Sequence, residues 1–166
     1  MKNTILLTFI FLLFTSISCE KEDGITAEFR GSAIIGTWNR IDEIPSGGIR
    51  EDYRYFDVET LHTFELDGTY TYKVNYYGFK DENPNKLMGQ SENKGTFEVN
   101  NDSVFMRVFE NTSWEKGFKP KPETIQINGE AYGNRFSIKN ETLTLYYISY
   151  PADAPVQTQM SFKRAE

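Results

Sequence analysis

A single histidine, His62, and a single cysteine, Cys19, limit the chemistry open to this 166-residue chain. One imidazole removes most metal and triad chemistries, and no Ser-His-Asp constellation can be argued around it. One thiol means no internal disulfide and no cysteine-built zinc site. Carboxylates are plentiful, but none sits in a recognisable general acid/base pair. No glycine-rich phosphate loop follows a strand. The chain therefore reads as a non-enzyme with no cofactor; haem ligation by His62 alone has no supporting motif. What remains is recognition. His62 shares an alternating row with Phe64, and Tyr70, Tyr72 and Tyr76 form a second such row. Tyrosine combines an apolar body with a polar tip, which suits a semi-polar cavity as well as a packed core.

Composition narrows the partners. The formal balance of 18 basic and 24 acidic residues, net −6, argues against nucleic acid, whose binders neutralise phosphates with basic patches. Charged residues at 25 % exclude an integral membrane bundle. Hydrophobic residues at 39 %, with aromatics at 15 %, are enough to build one core.

The N-terminus has its own logic. Lys2 precedes a ten-residue apolar stretch, Ile5 to Phe14, broken only by Thr8. That is too short for the roughly 20 residues needed to span a bilayer, but it suits a signal-peptide core. The small residues Ser16, Ile17 and Ser18 lead to Cys19, and the chain then turns acidic at once. Ser16-Ile17-Ser18-Cys19 resembles a bacterial lipoprotein signal of the looser type found in Bacteroidota, with Ser16 where leucine is usual. The resemblance implies cleavage after residue 18 and a lipid on Cys19. It also implies anchoring at the cell envelope, in the outer membrane and with surface exposure. Residues 19–32 then read as a lipidated cysteine and flexible tether, and residues 33–166 as the folded domain.

From Ile34 onward the hydrophobic period is two, which predicts strands. Around Asp67-Gly68, a three-residue loop with Gly68 in the left-handed region pairs Phe64 with Tyr70 and His62 with Tyr72, and so brings both apolar rows to one face. Two-residue turns at Asn101-Asp102 and Asn140-Glu141 pair Val99 with Val104, Phe97 with Met106, Ile138 with Leu143 and Phe136 with Leu145. Val156, Thr158, Met160 and Phe162 share one face of the last strand. A strand around Gly36-Thr37-Trp38 and a weaker one at 124–127 bring the total to eight or nine. Residues 44–57, 78–94 and 111–121 read as loops, the last placing Trp114 among Lys116, Lys119 and Lys121. Strands joined by local hairpins, each with one apolar face, predict an all-β, up-and-down antiparallel barrel of about eight strands.

Gly36-Thr37-Trp38, the hairpin from Phe64 to Tyr70 and the closing Phe162-Lys163-Arg164 together resemble the bacterial lipocalin-like domain family over residues 34 to 164. The resemblance implies that Trp38, entered through Gly36, plugs the closed end of the barrel and that Arg164 packs across it. It further implies a small hydrophobic or amphipathic ligand. Phe64, Tyr70, Tyr72, Phe97, Met106 and Tyr147 are the expected cavity wall, with His62 as the polar contact. The competing expectation is a solid barrel whose loops meet an envelope protein or an extracellular polymer.

Overall fold

The computed structural model describes residues 33–45, 54–78 and 86–165. The signal segment 1–18, Cys19 and the tether through residue 32 lie outside them. Nine strands run in chain order: β1 (Gly36–Pro45), β2 (Arg54–Phe64), β3 (Thr69–Tyr77), β4 (Leu87–Asn100), β5 (Ser103–Glu115), β6 (Lys119–Gln126), β7 (Tyr132–Lys139), β8 (Thr142–Ser149) and β9 (Val156–Arg164). All neighbours are antiparallel, in the order β4-β3-β2-β1-β9-β8-β7-β5-β6, and β4 also pairs with β5. That last pairing closes the sheet into an eight-stranded barrel and leaves β6 as an extra edge strand beside β5.

The turns set the registers. Phe64 pairs with Tyr70 and His62 with Tyr72. Gly68 has φ +85° and donates its N–H to the Glu65 carbonyl at 3.1 Å, the left-handed step that a three-residue loop needs. Phe97 lies opposite Met106 and Val99 opposite Val104. Phe136 lies opposite Leu145 and Ile138 opposite Leu143. Their inward side chains join Ile34, Trp38 and Phe162 in one core at the end of the barrel where these turns cluster.

Three expected loops are shorter than their sequence suggests. β1 extends to Pro45 and β2 begins at Arg54, so both ends of 44–57 are strand, and 46–53 lie outside the described residues. β4 begins at Leu87, well inside 78–94. The segment 111–121 is the far half of β5 plus the start of β6, with Trp114 opposite Gln90 and Lys119 opposite Glu115. The strand expected at 124–127 accordingly begins at Lys119. These strands lack an apolar row. Tyr72 pairs with Asn93, which pairs with Asn111, so the cavity-side face there is polar. Pro120 and Pro122 are tolerated because β6 is an edge.

The closed end is held by Trp38, which is fully buried. Its indole Nε1–H donates to the Ile34 carbonyl at 2.7 Å. The Arg164 guanidinium lies 4.2 Å from the indole centroid and donates to the carbonyls of Ile35 at 2.9 Å and Ala33 at 3.2 Å. Gly36 (φ +121°) makes room for it, because a Cβ there would stand 2.5 Å from Arg164 Nη1. The motif is thus one contact set, in which glycine admits the arginine and the arginine covers the tryptophan.

Candidate ligand-binding site

The barrel is laced at one end and loose at the other. β1 and β9 pair only at Trp38/Arg164 and Asn39/Lys163. β7 and β8 pair from Lys139/Thr142 only as far as Arg135/Tyr146. The outer part of the β8–β9 hairpin therefore stands off both neighbours, although its own two strands stay paired from Thr142/Lys163 to Ser149/Val156. A hollow of about 430 Å³ opens there, beside the filled core. A second hollow of about 500 Å³ shares Asn134, Tyr147 and Ile148 with it and reaches the outward-facing Arg135, Tyr146 and Gln157. The two meet at the unlaced seam between β7 and β8.

Leu145, Ile148, Met160 and Phe162 give the inner hollow its apolar wall, while His62, Tyr72, Tyr132, Asn134 and Tyr147 give it polar groups. His62 sits at the boundary between core and cavity. Its ring lies 4.8 Å from that of Tyr72 and meets Phe162 edge-on at 4.7 Å. Nδ1 is 2.8 Å from the Tyr70 hydroxyl, and the Tyr132 phenol acts electrostatically on Tyr70. Burial pushes the imidazole pKa down from 6.5 to about 4. It also pushes the Tyr70, Tyr72 and Tyr132 phenols up. At neutral pH all four groups are uncharged.

Four polar groups converge on this hollow without a partner among the described residues: His62 Nε2, the hydroxyls of Tyr72 and Tyr147, and the Asn134 amide. Every fully buried side-chain nitrogen or oxygen among the described residues has a hydrogen-bond partner. The unpartnered ones therefore border accessible space, and for His62 that space is the cavity.

Of the residues expected to form the wall, the structure brings His62, Tyr72 and Tyr147 together at the hollow. Phe64, Tyr70, Phe97 and Met106 do not line it. Phe64, Tyr70 and Met106 are fully buried core, and Phe97 packs edge-on against Phe64 at 5.0 Å. They lie closer to the laced end, where inward side chains fill the barrel. Sequence reasoning did not assign Tyr132, Asn134, Leu145, Ile148, Met160 or Phe162 to the wall. The signal for three of them was present: Met160 and Phe162 share the inward row of the last strand, and Met160 pairs with Leu145.

Among the described residues, no three His, Cys, Asp or Glu side chains group closely enough to hold a metal ion. No helix there is long and apolar enough to cross a membrane. No family model matches this chain, and no curated protein matches it as a relative.

Proposed function

We propose that this protein binds a small hydrophobic or amphipathic molecule in the open half of its barrel, and does so as a lipid-anchored protein of the cell envelope. The observation that carries the binding reading is the convergence of unpartnered polar groups on an apolar hollow. These groups border accessible space and can exchange a water for a ligand's polar group. A volume of about 430 Å³ falls within the roughly 300–1,000 Å³ of ligand pockets. Apolar burial against Leu145, Met160 and Phe162 supplies affinity at roughly 25 cal/mol per Å², and the polar groups fix orientation. A solid barrel acting only through its loops needs no such hollow.

Native mass spectrometry of the protein incubated with a lipid and metabolite extract tests the binding reading. The expected result is a stoichiometric adduct, released by organic solvent and lost in Met160→Trp, where an indole fills the hollow. A bare mass across several extracts would overturn it. The anchor has a separate test. Fatty-acid labelling in cells is expected to mark the wild-type chain and not Cys19→Ser; label retained by the variant would refute lipidation at that residue.

A further inference from the structure

Among the described residues, those lining the hollow include no Lys, Arg, Asp or Glu. We propose, on the binding reading above, that the hollow selects an uncharged ligand carrying a hydroxyl or carbonyl group, held by His62 Nε2 and the Tyr72 hydroxyl, and rejects the matching carboxylate. A charge brought into an apolar hollow must find a partner or lose affinity. The Arg40 guanidinium lies within electrostatic reach of Tyr147. It is already held by both carboxylate oxygens of Asp42, at 2.6 to 2.8 Å. Its charge is balanced, so a ligand carboxylate would have to displace Asp42 to use it.

The hydrogen-bond chain explains why an alcohol and a ketone both fit. The Nδ1–Tyr70 contact can be made in two ways. When Tyr70 O–H donates to Nδ1, the ring proton sits on Nε2, which then donates to a ligand carbonyl. When Nδ1–H donates to the Tyr70 oxygen, Nε2 is a bare acceptor for a ligand hydroxyl, and Tyr70 keeps its own O–H. Either arrangement leaves the whole chain neutral. The hydroxyl of Tyr72, the residue paired with His62, offers both a donor and an acceptor.

The test uses a matched pair of fluorescent probes, 1-pyrenebutanol and 1-pyrenebutyrate, which share ring and linker and differ only in the terminal group. Fluorescence titration of the full chain at pH 7.5 is expected to give at least tenfold tighter binding of the alcohol. Tyr72→Phe and His62→Phe are each expected to shrink that preference, and Met160→Trp to abolish alcohol binding. Equal or tighter binding of the carboxylate would overturn the neutral-ligand proposal while leaving the binding reading intact, and its loss in Arg40→Gln would place the head at the guanidinium. Alcohol binding that survives Met160→Trp would put the probe elsewhere and overturn the proposal. Failure of both probes to bind would overturn it together with the binding reading.

Discussion

Trp38→Ala is expected to destabilise the barrel by about 3–5 kcal/mol, the range for removing a buried large aromatic. At a typical urea slope of about 2 kcal/mol per molar, the midpoint followed by circular dichroism falls by about 2 M. Three effects act together. The fully buried indole leaves a void at the closed end. The Ile34 carbonyl loses its 2.7 Å donor. Arg164 loses the ring face beneath its guanidinium. A domain of this size has roughly 5–15 kcal/mol in total, so this one change removes a large part of it. Arg164→Met separates the components. It keeps an apolar stem over the indole but removes the cation–π contact and the donors to Ile35 and Ala33, for an expected loss of about 1–2 kcal/mol. A loss below 1 kcal/mol in Trp38→Ala would mean that the laced end is not what holds the barrel shut.

The importance of that end follows from how unevenly the barrel is stitched. Of the eight seams, the β1–β9 seam has two paired positions, and the β7–β8 seam stops at Arg135/Tyr146. Where β9 meets β1, Trp38 and Arg164 are themselves the paired residues. The contact that fills the floor is therefore also the clasp of the weakest seam. Farther from the floor, the same two seams part and the hollow opens between them.

Most of the fold was legible because its information is local. A buried face imposes period two, and a turn of known length converts that period into a register. Phe64/Tyr70, Phe97/Met106 and Phe136/Leu145 follow from this alone. The strands that escaped are those of the open half. There Ser91, Asn93, Asn111 and Ser113 occupy the cavity-side positions, and Asn111 Nδ2 donates to Ser91 Oγ at 3.0 Å and to Asn93 Oδ1 at 2.9 Å. A strand that is polar on both faces has no hydrophobic period to read. The site was half legible for a related reason. Alternation says which side chains point inward but not how high along the barrel they sit. Phe64 and Tyr70 are one inward step nearer the turn than His62 and Tyr72, and that step separates core from cavity wall. Height is set by strand tilt and by irregularities such as the bulge at Phe109 between the Lys94/Glu110 and Gly95/Val108 pairs. Neither is written in a single strand.

Lowering the pH from 7 to 4 is expected to cost the wild-type protein about 3 kcal/mol more than it costs His62→Phe. The folded-state imidazole pKa is about 4, against an ordinary 6.5, because burial penalises the charged ring. Between those values the unfolded chain carries a proton on His62 that the folded chain does not. Stability therefore rises with pH across that window, is fully present above about 6.5, and is lost as the pH falls toward 4. At about 1.4 kcal/mol per pH unit of separation, the contribution is about 3 kcal/mol. Among the described residues, no group ionisable near neutrality faces the ring to offset it. β1 presents Trp38 at the paired position, β2 presents Phe64, β3 presents Tyr70 and Tyr72, and β9 presents Phe162. The carboxylates that also protonate in this range are common to both proteins, so the difference between their urea-unfolding curves isolates His62. At pH 7.5 the variant keeps an aromatic ring in place but loses the 2.8 Å partner of the Tyr70 hydroxyl, so its curve starts lower by about 1 kcal/mol and the comparison is of the two slopes against pH. Curves that stay parallel down to pH 4 would mean that the imidazole titrates alike in the folded and unfolded chains, and that the cavity floor is wet enough to hold a charge.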